Sequence, residues 1–390
     1  MLVDNTEQLS TQTLYRVLQD ENDIFLIDVR NRDEFENWRI ETRFTPETIN
    51  IPYFEFFENE EESLSKIPKE RPIVLVCAVG GASDFVAAML EEEGIPASNI
   101  VEGMSGWGKL HIFRPVVETE SYQVYQVDRV ARGCLSYVLI SDGKAVIIDP
   151  LRHIEYYEEF LESKGATLEL ILDTHGHADH ISGGSELSKK TGAPYYLHPY
   201  DGIHPFVMLP AKLDYHMLHH EKEFQVGEFD IRVIHVPGHT LGQVNFLVSA
   251  SDGSKYFFTG DNIFIQSFGR PDLGGQGEAW APIVYETIFK TVKENVPDNA
   301  LVLPGHYAKP DEADNDGLFA KKLADIWEEN EDLSNSDRER FIEFILDHLP
   351  EMPVQYIQIK RVNAGLVNPD EEEASELELG KNICALSTAY

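Results

Sequence analysis

Four short apolar runs in this chain end the same way, and that repetition limits what the chain can fold into. Leu168 to Leu172 leads into Asp173-Thr174-His175-Gly176-His177-Ala178-Asp179-His180, which puts three imidazoles and a carboxylate within six residues. Ile231 to Val236 ends in Pro237-Gly238-His239, Lys255 to Thr259 in Gly260-Asp261, and Ala300 to Leu303 in Pro304-Gly305-His306. Each run reads as a buried strand, and each closes on a tight glycine-bearing turn that carries nitrogen or oxygen ligands. One such histidine is explained by chance; four strand ends of the same kind are not. The donors are imidazole and carboxylate without thiolate, a set that suits zinc, iron or manganese and disfavours a structural zinc knuckle.

The chain is long enough, at 390 residues, for two domains. Its formal net charge of -36 excludes nucleic acid and an anionic membrane as partners, because both require clustered Lys and Arg. The acid gathers in runs such as Glu58 to Glu62, Glu91 to Glu93, Glu328 to Asp332 and Asp370 to Glu373, which read as solvated surface. Three cysteines, Cys77, Cys134 and Cys384, make no disulfide framework. Residues 1–10 are polar and acidic with no secretory pattern, and no apolar run reaches eighteen residues. A reducing cytoplasm is the expected location.

Residues 1–115 alternate strand and helix signals. Ile24 to Ile27, Ile49 to Ile51 and Ile73 to Val76 read as short strands, the last bounded by Pro72 and suited to a buried parallel sheet. It runs into Cys77-Ala78-Val79-Gly80-Gly81-Ala82-Ser83 and then a helical stretch, Asp84 to Leu90. Backbone N–H groups of such a loop can stabilise a thiolate or an anion attached to it. With Ile27-Asp28-Val29-Arg30, Ile49-Asn50-Ile51-Pro52 and Glu102-Gly103-Met104-Ser105-Gly106-Trp107, this segment resembles the rhodanese family. The resemblance implies an α/β fold with a parallel sheet and Cys77 as the sulfur-carrying nucleophile. The sequence departs from the family at Ala82, where an arginine often stands, and at Trp38-Arg39, where Gly-His is usual. The missing loop cation removes a hold on thiosulfate and points to small or protein-borne persulfides.

Pro115 to Glu120 reads as a boundary, with a second domain over residues 120–390. Tyr137 to Ile140 and Ala145 to Ile148, joined through Asp142-Gly143, form a predicted hairpin, and a helix follows from Ile154 to Lys164. The ligand-ended strands make residues 122–307 similar to the metallo-β-lactamase superfamily, which implies an αββα sandwich. The predicted architecture is therefore α/β plus α+β: a rhodanese-like parallel sheet with helices, then the sandwich with a helical and extended C-terminal extension.

Within that superfamily Gly269-Arg270-Pro271-Asp272, at its distance from Asp261, resembles the persulfide dioxygenases. That resemblance implies one Fe(II) held by His175, His239 and Asp261, with O2 and a low-molecular-weight persulfide such as glutathione persulfide as substrates and sulfite as product. It leaves His177, Asp179, His180 and His306 either to orient the ligands and water or to hold a second metal. Arg270 is a candidate clamp for a substrate carboxylate, with a salt bridge to Asp272 as the alternative. The rival function is a dinuclear zinc thioesterase or hydrolase of the glyoxalase II type, with a non-catalytic rhodanese-like sulfur carrier. No basic helical pair is evident in the C-terminal part; residues 315–348 read as two acidic amphipathic helices, and Pro353 to Ile359 as a strand or extended segment. His216, His219 and His220 read as surface or packing residues, and Cys134 and Cys384 as buried. The apolar tail from Leu377 to Tyr390 is expected to dock on the domain or on a second subunit, which favours a homodimer.

Overall fold

A computed structural model of the chain describes residues 8–19, 23–334, 336–380 and 383–386. It divides into two compact units: one runs through His111 and includes Arg129–Arg132, and the other takes in Ile112–Asp128 and Gly133–Glu378. Pro115 lies inside the strand His111–Glu118.

The first unit is built on five strands, Gln8–Leu9 (β1), Phe25–Asp28 (β2), Glu47–Asn50 (β3), Ile73–Val76 (β4) and Ala97–Ile100 (β5). They pair in parallel in the order β1-β5-β4-β2-β3. Every residue of β2 and β4 is buried, which is why these strands read as unbroken apolar runs and not as alternating ones. β4 delivers Cys77 to the carboxyl end of the sheet, ahead of the helix Gly81–Glu92.

The second unit stacks two sheets. The seven-stranded sheet contains His111–Glu118 (β6), Tyr122–Arg129 (β7), Cys134–Ser141 (β8), Lys144–Ile148 (β9), Thr167–Leu172 (β10), Tyr195–Leu197 (β11) and His216–Met217 (β12). The six-stranded sheet contains Glu223–Val226 (β13), Phe229–His235 (β14), Val244–Ala250 (β15), Lys255–Gly260 (β16), Leu301–Pro304 (β17) and Lys321–Lys322 (β18). The predicted hairpin is β8–β9: Ser141 pairs with Lys144, and Asp142 and Gly143 both take positive φ, the geometry of a two-residue turn matched to strand twist.

Between the sheets lies a core that includes Tyr137, Ile148, Leu172, Phe229, Phe246 and Phe258. The outer face of the first sheet is covered by the helices Glu155–Lys164 and Gly184–Thr191, and that of the second by Gly277–Glu286 and Arg338–Asp347. This is the αββα layering. No helix among the described residues is long and apolar enough to cross a membrane.

The extension departs from expectation at residues 354–363, which form a helix, Val354–Asn363, and not a strand. Only Val354 to Tyr356 alternates; the adjacent Tyr356 and Ile357 and the polar Gln358 break the strand period, while Tyr356, Ile359, Lys360 and Asn363 fall on one helical face. Tyr356, Ile359 and Lys360 are the buried residues, so packing selects the helical period. The same helix carries Lys360 and Arg361 in its last turn, a basic pair that the sequence pattern hid. Beyond it, Ala385 bridges Gly269, and Leu386 donates its N–H to Phe268. The rest of the predicted docking tail, residues 381, 382 and 387–390, lies outside the described residues.

Phe246 sits mid-strand in β15, fully buried between the sheets. Phe246→Ala is expected to cost about 3–5 kcal/mol, read as a shift of the second unit's chemical denaturation midpoint.

Candidate metal centre

The strand ends converge as their repetition predicted. β10 ends at Leu172, and the loop Asp173 to Gly183 then holds His175, His177, Asp179 and His180 ahead of the helix Gly184–Thr191. β14 precedes His239, β16 precedes Asp261 and β17 precedes His306. All seven side chains are at most 2% exposed.

Six of them fall into two groups, and His177 stands with Asp149 and Asp173. In the first, His175, His239 and Asp261 bring one donor atom each within 4.8 Å of one another. His175 Nε2 lies 3.9 Å and His239 Nε2 3.3 Å from Asp261 Oδ2. All three atoms are buried without a hydrogen-bond partner. Donors about 2.1 Å from a shared metal stand roughly 3.0–3.5 Å apart; the His239–Asp261 separation lies in that range and the His175–Asp261 separation just beyond it, so a small inward shift of His175 would let the trio hold one ion. Buried polar atoms left unpaired are costly, and a cation at this point would satisfy all three.

Each ligand is also oriented from behind. His175 Nδ1 lies 2.9 Å from Thr174 Oγ1, whose hydroxyl donates to Asp149, so the ring N–H points to Thr174 and Nε2 is left with its lone pair. His239 Nδ1 donates to the Arg270 carbonyl at 2.8 Å, with the same consequence. Asp261 gives Oδ1 to His306 at 2.6 Å and keeps Oδ2 for the group. Burial, and then the neighbouring imidazoles, hold His175 well below the usual histidine range. Burial lowers His239 to about 4. Burial works against ionised Asp261, but His306 and His239 outweigh it and lower its pKa. Two neutral imidazoles and a carboxylate are the protonation states a metal requires.

The second group, Cys134, Asp179, His180 and His306, is already knitted together. Asp179 Oδ2 accepts from His306 Nε2 at 2.8 Å and from the Cys134 thiol at 3.2 Å, and Asp179 Oδ1 lies 3.1 Å from His180 Nδ1. Burial opposes charge on His180, yet Asp179 raises it to about 10; Asp179 and Asp261 likewise raise His306 well above the ordinary range. His177 belongs to neither group and turns Nε2 toward Asp149 (3.3 Å) and Asp173 (3.9 Å). Cys134 in this pocket was missed from sequence, where the start of a strand, β8, looks like any buried cysteine.

Arg270 does not face the ligands. It is wholly buried, and its fork grips Asp272 at 2.7 and 2.8 Å while also donating to the Ile383 and Pro350 carbonyls. The salt-bridge alternative describes it, and the clamp for a substrate carboxylate does not. What Arg270 offers the site is its backbone carbonyl.

Beside the first group lies a cavity of about 430 Å³, lined by His175, Gly176 and His177 and walled by apolar residues including Leu197, Ile203, Leu241, Leu273 and Trp280. The loop that bears the ligands is held by the C-terminal extension. Asn363 Nδ2 donates to the His177 and His180 carbonyls, Asn363 Oδ1 accepts from Ser182 N, and Glu378 accepts from Ile181 N. No sequence motif marks these residues, because their partners are main-chain atoms some 180 positions away.

In the first unit Cys77 is 3% exposed. Its sulfur accepts from Gly80 N at 2.9 Å and lies 3.3 Å from Ser83 Oγ, inside the loop between β4 and the helix Gly81–Glu92. Ala82 supplies no charge there.

Comparison with known proteins agrees with this geometry. Residues 129–314 match the metallo-beta-lactamase superfamily, and residues 10–110 match the rhodanese-like domain. The chain is 30% identical over 189 residues to the probable metallo-hydrolase YqgX of Bacillus subtilis, covering 45% of this chain and 86% of that protein. It is 30% identical over 213 residues to a hydroxyacylglutathione hydrolase of Pelagibacter ubique, covering 51% of this chain and 81% of that protein. A crystal structure of a metallo-beta-lactamase from Staphylococcus aureus superposes with a TM-score of 0.56 at 26% identity, over 63% of this chain and 73% of that one.

Thr174→Val removes the relay from Asp149 to His175 with little change of shape. Metal affinity should fall by about 10–100-fold, measured by competition with a chelator, with the far-ultraviolet circular dichroism unchanged.

Proposed function

The chain belongs to the metallo-beta-lactamase superfamily and carries a rhodanese-like domain ahead of that fold, and from that premise we propose that it is an iron-dependent persulfide dioxygenase joined to a sulfur-transfer domain. The observation that carries this reading is the contrast between the two ligand groups. His175, His239 and Asp261 present three unpartnered donor atoms to one point, whereas in the second group Asp179 is already bonded to His180, His306 and Cys134 and His180 Nε2 is left unpartnered. A single set of two imidazoles and one carboxylate suits one Fe(II) with coordination positions left over.

Iron held there would supply the redox centre for the overall change RSSH + O2 + H2O → RSH + SO3²⁻ + 2 H⁺. The protein's own groups prepare that change. Thr174 and the Arg270 carbonyl keep the Nε2 lone pairs of His175 and His239 turned inward. His306 holds Asp261 by one oxygen and leaves the other free. The cavity beside them is large enough for a small thiol, and its apolar wall restricts water around the reacting sulfur. In the rhodanese-like domain Cys77 would carry a sulfane sulfur as a persulfide, with Gly80 N–H and Ser83 Oγ next to it.

A second reading, a dinuclear zinc thioesterase of the glyoxalase II type with a non-catalytic sulfur carrier, is favoured by two observations. Cys134, Asp179, His180 and His306 also lie within reach of one ion, and relatives at 30% identity are named as hydrolases.

Protein purified without oxygen should contain one iron per chain and take up O2 with glutathione persulfide, measured by elemental analysis and an oxygen electrode. Two zincs per chain, no O2 uptake and hydrolysis of an S-acylglutathione would select the second reading. Cys77→Ser should abolish persulfide labelling of the first domain and leave O2 uptake on added glutathione persulfide unchanged.

A further inference from the structure

One oxygen of Asp201 is bonded to the residue that follows each histidine of the metal trio. Its Oδ2 accepts from Gly176 N at 2.8 Å and from the Thr240 hydroxyl at 2.6 Å, and its Oδ1 accepts from Gly242 N at 3.1 Å. Gly176 directly follows His175, and Thr240 directly follows His239. The two histidines come from different sheets: His175 follows β10 of the seven-stranded sheet, and His239 follows β14 of the six-stranded one. Asp201 comes from a third loop, the one after β11, a strand that pairs in parallel with β10 so that the two end side by side. There Asp201 N and Gly202 N both donate to the His198 carbonyl, a turn that fixes where the carboxylate starts.

The contact is built for a group that only accepts. Three donors meet two oxygens, and an ionised carboxylate turns no donor of its own toward them. A Cβ at residue 242 would lie 2.6 Å from Asp201 Cγ and 2.8 Å from Oδ1, so glycine there is what lets the N–H reach the carboxylate. The Gly176 carbonyl is held separately, by Lys360 Nζ at 2.7 Å. Asp201 belongs to none of the side-chain groups that could hold an ion among the described residues, so it acts on the centre through other residues. Apolar packing between sheets is non-directional and does not set two donor atoms to tenths of an ångström, which a metal demands. A main-chain bond from Val244 N to the Thr174 carbonyl, at 2.8 Å, joins the two ligand-bearing segments well beyond His239. Asp201 supplies the tie next to His239 itself.

We propose that Asp201 is a positioning residue of the metal centre: its Oδ2 sets the spacing of His175 and His239, and with it the geometry in which they hold a metal. The assignment rests on the reading of His175, His239 and Asp261 as metal ligands. It holds for a dioxygenase and for a hydrolase alike, because both would use these two histidines.

The test is Co(II) binding to the metal-free full chain, followed by visible absorption and by competition with a chelator. The chemical denaturation midpoint of each metal-free protein is measured in parallel. Asp201→Asn keeps the shape of the side chain and turns an amide N–H toward one of the three donors; Asp201→Ala removes both oxygens. Asp201→Asn is expected to lower affinity for the first equivalent of Co(II) by about 10–100-fold and to alter its ligand-field bands. Thr240→Val, which removes one donor to Oδ2, is expected to do the same to a smaller degree, and to add nothing when combined with Asp201→Ala. Wild-type affinity and bands in Asp201→Asn would overturn the proposal. So would weaker binding with unchanged bands and a lowered midpoint, the signature of a side chain that only stabilises the fold. A full further loss from Thr240→Val in the Asp201→Ala background would overturn it as well. A wild type that binds no Co(II) would reject the metal reading and the proposal with it. Altered bands in Asp201→Asn, with no O2 uptake by the iron-loaded wild type, would reject the dioxygenase reading and leave Asp201 in its role.

Discussion

Seven histidine and aspartate side chains are buried at one edge of a β-sandwich, and burial of that many polar groups is tolerable only where each finds a partner. This requirement organises the second unit. Asp149 takes the Thr174 hydroxyl, Thr174 takes His175, the Arg270 carbonyl takes His239, and His306 joins Asp179 to Asp261. After these bonds are made, one atom each of His175, His239 and Asp261 remains unmatched at one point, and His180 Nε2 and the ring nitrogens of His177 remain unmatched nearby. The unmatched set is what makes the centre a metal site and not a polar core.

The same requirement explains the close approach of backbone around it. A Cβ on Gly269 would meet the Asp261 carbonyl oxygen at 1.9 Å and His239 Nδ1 at 2.8 Å, so only glycine lets the Phe268–Arg270 strand lie against two of the ligands. That strand in turn pairs with the C-terminal segment at Ala385. The extension therefore completes the site from two sides, through this pairing and through the helix that brings Asn363 and Lys360 to the ligand loop. A loop rich in ligands has few apolar contacts of its own, and the extension supplies the order that the loop lacks.

The rhodanese-like domain solves a smaller version of the problem. Its cysteine lies at the carboxyl end of a central parallel strand, where backbone N–H groups gather and the sheet leaves a crevice. Without a cation at position 82, the sulfur is supported by main-chain and hydroxyl dipoles.

The gathering of imidazoles and carboxylates at strand ends could be read from the sequence, because it depends on local pattern, and the layer order came with the family resemblance those strand ends carry. Unbroken apolar runs mark doubly covered strands, and a histidine or aspartate on a glycine turn at each strand end survives any rearrangement of what lies between. The parallel sheet follows from that pattern, whereas the αββα sandwich and the choice of His175, His239 and Asp261 as one set were implied by the family resemblance that these motifs carry. The use of each side chain was decided only by the tertiary structure. Arg270 turned out to be a buried fork on Asp272, His177 faces Asp149, and Cys134 entered the pocket of Asp179. Residues 353–359 look extended from Pro353 and a short alternation at Val354 to Tyr356, and packing of Tyr356, Ile359 and Lys360 chose the helix. The physical reason is common to all of them: a side chain's partner is set by contacts between residues far apart in the chain, and spacing along the chain does not encode direction across it.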